Sequence, residues 1–397
     1  MKRRNFLKSS VLTTGGLLVA PAFLQYGQTQ SFKPSDKKLI VIQLSGGNDG
    51  LNTVIPYNND IYYKLRSTIG IPKNEVLKVG KELGFHPALA PLRNLYDEGM
   101  LCVVNSVGYP NPVRSHFRSM DIWQSGSGAT EHWETGWLGR YLDEQNSKGH
   151  TAIEVDDMLG MALKGENKKG LAMRDARRLH KIVQEPYFDK VIQHADSHHH
   201  DHNENLGYLY KTLVETKSSA QYIYEKSKIQ KTKETYPQNA LGRQLKTVAQ
   251  MMLSGIDTQI YYVSMSGFDT HANQPNMQKR LLGNYAEAIE VFVKDLKQHG
   301  LLDQSLILTF SEFGRSISEN ASRGTDHGTA NNLFVIGNGL KKQGFYNAPA
   351  DLSNLDEHDD LKFEIDFRRI YATILRNWLG ANDQAILKES FDPLSFV

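Results

Sequence analysis

The chain of 397 residues has a single cysteine, Cys102. No internal disulfide can form, so outside a reducing cytoplasm stability must come from the core and from bound metal. Cys102 stands in Leu101-Cys102-Val103-Val104, where a buried and inert thiol is expected. An excess of one charge is also missing. The formal net charge is +2, which excludes the strong field of a nucleic-acid binder. Long apolar runs are scarce: Val11 to Ala20 is interrupted by Gly15-Gly16 and is too short to span a bilayer. No motif recurs at solenoid spacing. The remaining composition, 40% hydrophobic and 23% charged, is that of a globular chain long enough for one large domain.

Lys2-Arg3-Arg4-Asn5-Phe6-Leu7-Lys8 has the twin-arginine form of a bacterial export signal, and Ala20-Pro21-Ala22 offers small residues for cleavage. Residues 1–22 are therefore expected to be a signal peptide, with an uncleaved anchor as the alternative. A periplasmic or extracellular protein without an integral membrane span follows.

Leu39-Ile40-Val41-Ile42-Gln43-Leu44 predicts a strand buried on both faces. It runs into Ser45-Gly46-Gly47-Asn48-Asp49-Gly50, which places a carboxylate at the strand's end. The arrangement recurs. Tyr261 to Met265 leads to Gly267-Phe268-Asp269-Thr270-His271, and Leu306 to Phe310 leads to Ser311-Glu312-Phe313-Gly314-Arg315. Asp326-His327-Gly328 precedes the apolar run Leu333 to Ile336. Helical spacing marks 87–98, 241–253, 282–296 and 367–378, with helices opening at Ser115 and near Trp133. Alternation of strands and helices predicts a doubly wound α/β fold, its sheet mainly parallel and covered by helices on both faces. The scattered apolar residues at about 150–240 are expected to form a lid inserted over the core; the His-rich segment 194–202 within it reads as a solvated loop or a metal-binding tract.

Asp269, His271 and His327 suit zinc or another first-row ion. Asp49 and Glu312 suit a harder second ion such as calcium or magnesium, or a second zinc. Each has a bland alternative: Asp49 can hold its glycine turn, and His327 can pair with Asp326. Ser115 would stand at a helix start, where it is either a nucleophile activated by the helix dipole or an ordinary N-cap. Arg114, His116, Arg315 and Arg323 are the groups placed to meet an anion.

The twin-arginine start, Ser45 to Asn52, Arg114-Ser115-His116-Phe117, Gly267 to His271, Ser311 to Arg315, Asp326-His327-Gly328 and Asp366 to Tyr371 together resemble the exported family called domain of unknown function 1501. That family is grouped with the alkaline phosphatase and sulfatase superfamily. The resemblance implies an alkaline phosphatase-like domain over 38–397 with metal at the strand ends. It matches Asp49 to the superfamily's first-strand ligand, Ser115 to its nucleophile, Asp269 and His271 to ligands of the first metal, Glu312 to the second metal's Asp, and His327 to the last His ligand. Phe313 departs from the pattern, standing where a second-site His is usual. The expected function is an exported metal-dependent hydrolase of phosphate or sulfate esters, using a serine nucleophile or metal-bound water. Its substrate would be a small anionic ester or a sulfated or phosphorylated glycan. The alternative is a non-catalytic metal-containing binding protein.

Overall fold

The apolar run after Lys37 becomes the central strand β1 (Lys38–Ser45). Successive side chains of a strand point to opposite faces. Ile40, Ile42 and Leu44 accordingly enter one hydrophobic core with Leu89, Leu92, Leu245, Tyr285 and Phe292. Leu39 and Val41 enter a second with Trp123, Leu138, Phe367 and Ile370. The structure is a computed structural model and describes residues 36–196, 204–229 and 231–397. The expected signal peptide, 1–22, and the histidines His198, His199, His200 and His202 lie outside the described residues.

After β1 come β2 (Val54–Ile55), helix α1 (Asp60–Leu65), β3 (Leu77–Lys78) and β4 (Gly84–Phe85), and the three short strands form a small antiparallel sheet. Helix α2 (Ala90–Asp97) leads to β5 (Leu101–Gly108), α3 (His116–Ser125) and α4 (Trp137–Glu144). Next are β6 (Ala152–Glu154), β7 (Leu171–Ala172), α5 (Ala176–Val183), α6 (Pro186–Asp196), α7 (Glu204–Ser227) and α8 (Ala240–Leu253). The C-terminal half supplies β8 (Ile260–Ser266), α9 (Gln274–Gln298), β9 (Ser305–Phe310), β10 (Asn331–Ile336), β11 (Gly344–Phe345), β12 (Ile365–Asp366), α10 (Phe367–Thr373) and α11 (Asp383–Leu387).

The main sheet has the order β11-β5-β10-β9-β1-β8-β6-β7, with β12 also paired to β5. β1 is parallel to both neighbours, β8 and β9. Only β10 runs against its neighbours, β9 and β5. Residues of α2, α8 and α9 fill the first core and those of α3, α4 and α10 the second, so the sheet is covered on both faces as expected for a doubly wound fold. Cys102 lies in β5 with no exposed surface, and burial pushes its thiol up to about 12.

Within the segment at about 150–240, expected as a lid, the first strands join the main sheet. β6 and β7 extend the main sheet beyond β8 in parallel register. α7 is tied to this edge through Ser219, whose Oγ lies 3.0 Å from His150 Nδ1, and His150 Nε2 lies 3.0 Å from Asp257. Strands of two or three residues are too short to show a period of two, which is why the sequence pattern misses them. Among the described residues no helix is long and apolar enough to cross a membrane.

Candidate metal centre

The neighbours of β1 make its carboxyl end a place where connections diverge to either side, and open α/β sheets bind ligands at such points. Three loops meet there. Gly46 has φ +118°, and a Cβ on it would come within 2.4 Å of the Asp269 backbone nitrogen. Gly47 has φ +69°, and its Cβ would strike the Phe313 ring at 2.4 Å. Glycine alone lets the loop after β1 approach those after β8 and β9.

Arg315 ties the loops together. Its Nε donates to the Gly47 carbonyl at 2.7 Å, and its Nη1 to Thr325 at 3.0 Å. Its Nη2 donates to the carbonyls of Gly46 and Phe268 and, at 2.7 Å, to Asp269 Oδ1. The side chain has no exposed surface. Arg315, expected to meet a substrate oxyanion, is here bonded to the loop carbonyls and to Asp269, which it positions.

Around Asp269 the imidazoles converge. Oδ1 lies 3.0 Å from His271 Nε2, 3.3 Å from His327 Nε2 and 3.4 Å from His116 Nε2. The two rings of His271 and His327 approach at 3.0 Å through their Nε2 atoms. His116, Asp269 and His327 are the group whose ligand atoms all lie within 4.8 Å of one another among the described residues. Burial opposes ionisation of Asp269, but the hydrogen bond and charge of Arg315, with His327, bring its carboxyl down to about 2. The hydrogen bond that His116 donates to Glu312 raises its imidazole above its ordinary value against the effect of burial.

The opposite nitrogens decide the chemistry. His327 Nδ1 faces the Arg114 carbonyl at 2.7 Å, a group that can only accept, so Nδ1 carries the hydrogen. His116 Nδ1 faces Glu312 Oε1 at 2.8 Å, and His271 Nδ1 faces Asp326 Oδ1 at 3.2 Å. In the neutral rings all three Nε2 atoms are then bare lone pairs aimed at one another and at a carboxylate. His116 Nε2 is buried without a hydrogen-bond partner. A set of acceptors whose one donor, Arg315, reaches only Asp269 fits a cation. Ligand bonds of about 2.0–2.1 Å in a tetrahedral zinc site put donor atoms about 3.3 Å apart; Asp269 Oδ1 lies 3.0, 3.3 and 3.4 Å from the three Nε2 atoms, while His271 stands outside the group whose ligand atoms are all within 4.8 Å of one another. Imidazoles held through Nδ1–H by a carboxylate or carbonyl are the usual support for such a site.

The remaining expected ligands do other work. Asp49 Oδ1 accepts from the backbone of Leu51 at 3.1 Å and Asn52 at 3.3 Å. Its Oδ2 meets Arg66 Nη1 at 2.6 Å and the Gln274 amide, and both charged side chains are buried. Glu312 Oε1 takes the Gly46 N–H at 2.8 Å as well as His116, and Oε2 takes Ser311 at 3.0 Å. Protein donors thus occupy oxygens of Asp49 and Glu312, the residues expected to hold a second ion. Ser115 is the N-cap residue of α3 by backbone position, yet its side chain makes no cap bond and the residue is exposed. Arg114 Nη2 pairs with Asp360 and lies 3.8 Å from Asp356. Arg323 is exposed.

His116 was legible as a group near an anion but not as a ligand, because its place in the cluster depends on how α3 is docked. Its signal was adjacency to the helix start. Arg66 gave none, since its pairing with Asp49 spans a loop without periodicity.

The sequence matches, over residues 74–391, the model of a family described as "Protein of unknown function (DUF1501)". No curated protein matches it. Among solved structures it is similar to a lipoteichoic acid synthase from Listeria monocytogenes, with 10% identity, 91% of this chain and 76% of that one covered, and a TM-score of 0.43. A phosphonate monoester hydrolase from Silicibacter pomeroyi is similar at 10% identity, covering 89% and 77%, with a TM-score of 0.40. A protein in the alkaline phosphatase superfamily from Vibrio parahaemolyticus is similar at 11% identity, covering 88% and 68%, with a TM-score of 0.37.

Proposed function

From the premise that the chain belongs to this DUF1501 family, we propose that it is an exported hydrolase of phosphate or sulfate esters that works with one divalent cation, zinc by its donor set. The observation that carries the proposal is the gathering of three imidazole Nε2 atoms at the Asp269 carboxylate, each ring with its Nδ1 facing an acceptor. His116, His271, His327 and Asp269 would hold the ion, with Glu312, Asp326, the Arg114 carbonyl and Arg315 orienting them. A bound cation supplies Lewis acidity toward an ester oxygen.

Ser115 is the nucleophile in this proposal. Its hydroxyl is free of a capping bond, and it precedes the N–H groups of α3, which favour negative oxygen. Attack forms a bond from Ser115 Oγ to phosphorus or sulfur as the bond to the leaving alcohol breaks, and water then cleaves the serine ester. A second reading, a metal-containing binding protein, draws on a specific observation: Arg315 is buried and Arg114 is paired, so neither guanidinium faces the cluster unengaged. Elemental analysis followed by a panel of phosphate and sulfate esters separates the two. The hydrolase requires about one zinc per chain and turnover that Ser115→Ala lowers by orders of magnitude. One zinc without turnover on any ester supports the binder, and no bound metal defeats both.

A further inference from the structure

Residues 355–361 form a closed turn that holds none of the proposed ligands. Leu355 and Leu361 pair across its neck, and the Asp356 N–H donates to the Asp360 carbonyl at 2.9 Å. Inside it, Asp356 Oδ1 accepts the N–H groups of His358 and Asp360, each at 2.9 Å. An aspartate that takes the N–H two residues on closes a turn through its own side chain. The Glu364 N–H donates to the Ser106 carbonyl at 2.8 Å, and β12 pairs with β5, so the turn stands on the main sheet.

The turn is bonded to both segments that carry His116 and His327. On one side Asp360 Oδ2 pairs with Arg114 Nη2, and Asp356 Oδ2 lies 3.8 Å from the same nitrogen. Arg114 stands two residues before His116. Its Nε has no protein partner, and the two carboxylates hold the guanidinium. On the other side Thr329 Oγ1 donates to the Leu361 carbonyl, and Thr329 stands two residues after His327. Asp360 and Thr329 are both buried, where a charge-assisted bond is screened less than at the surface. The bond from His327 Nδ1–H to the Arg114 carbonyl, at 2.7 Å, joins the two segments directly. The direction of that carbonyl follows the backbone of residue 114, whose side chain is anchored at Asp360. Releasing the guanidinium frees the peptide to rotate away from Nδ1, and the His327 ring then loses the bond that fixes its tautomer.

We propose that Asp360 is a positioning residue of the metal centre. Through Arg114 it fixes the carbonyl that orients His327, and with Thr329 it makes the 355–361 turn a clamp across the two ligand segments. The proposal rests on the metal-centre reading and is independent of the substrate. Coupling between two sites is reciprocal. A clamp that strengthens zinc binding is in turn held closed by zinc.

The test uses the full-length protein, with zinc alone as the probe. Asp360→Asn keeps the shape of the side chain and removes its charge. In a chelator competition it should weaken zinc binding by about ten-fold, the lower end of the range for groups that support metal ligands, with about one zinc still bound at saturation. Thr329→Val removes only the other tie; it should shift zinc affinity in the same direction, and it serves if Asp360→Asn does not fold. Asp383→Asn is the control. It breaks the Arg376 pair, whose carboxylate is as little exposed as that of Asp360, 6% in each, and which includes no residue of the metal centre. It should lower the melting temperature and leave zinc affinity unchanged. Amide exchange supplies a readout that a merely structural ion pair would not move: zinc should slow exchange in 355–361 of the wild type and not of Asp360→Asn. Unchanged zinc affinity in both clamp variants, an equal loss in Asp383→Asn, or exchange in 355–361 indifferent to zinc overturns the proposal. A wild-type chain that binds no zinc overturns the metal-centre reading and the proposal with it.

Discussion

Two carboxylates near the same strand end illustrate how partner atoms set the role of a residue. Asp269 keeps side-chain surface open to solvent and faces imidazole lone pairs, whereas Asp49 is enclosed by Arg66, Gln274 and its own turn. Asp269→Asn should therefore strip zinc from the protein, while Asp49→Asn should keep about one equivalent by elemental analysis. Zinc loss in the Asp49 variant would return that residue to the ligand set. Glu312 provides the intermediate case. It touches the cluster only through His116, so Glu312→Gln should weaken zinc binding by about 10–100-fold in a chelator competition without altering the stoichiometry at saturation. Removing the cation from the other pair is harsher. Arg66→Met leaves Asp49 buried without its counter-charge, and urea titration should register a loss of about 3–5 kcal/mol.

Elements, more than single residues, determine what the sequence could disclose. β1, β8 and β9 were readable because each is a long apolar run buried on both faces, and the loops following them were readable as site loops because acids and histidines followed at once. The direction of β10 was not readable: nothing in Leu333 to Ile336 distinguishes an antiparallel strand from a parallel one, because both are buried. That direction matters, since it makes residues 311–330 a connection between adjacent antiparallel strands. Gly328 N–H then bonds Gly314 at 3.0 Å and Ser316 N–H bonds Asp326 at 3.0 Å, which brings His327 beside Arg315. The ligand loops likewise depend on close backbone approach at Gly46. Gly46→Ala would place a methyl 2.4 Å from Asp269 N at a φ of +118°. Chemical denaturation should show it less stable by about 1–3 kcal/mol, the cost of a strained backbone position, with zinc affinity reduced because Asp269 must shift. An unchanged midpoint and unchanged affinity would mean that the loops can separate without consequence.

At the scale of the whole molecule, stability should respond to pH through a carboxyl at the sheet edge. Glu154 ends β6, is buried, and accepts the Gly160 N–H at 2.5 Å; burial raises its carboxyl from 4.5 to about 7. Between those values the folded protein holds a proton that the unfolded chain has released, so this group's contribution to stability falls as pH rises through that window. The contribution lost is about 3 kcal/mol, and Glu154→Gln should flatten the decline when melting is measured across it. Export belongs to this scale as well, and rests on Arg3-Arg4 before Phe6-Leu7-Lys8. Lysine at both arginine positions should leave the precursor in the cytoplasm on fractionation; undiminished export would refute the twin-arginine route. The lone thiol has a further use. Cys102 lies in an interior strand of the main sheet, paired on either side, with its sulfur unexposed and its ionisation suppressed. An alkylating reagent can reach it only when β5 leaves the sheet, so the chain carries a clock for its own global opening. The rate of labelling in native buffer, compared with the rate in urea, reads how seldom the sheet comes apart without any introduced probe.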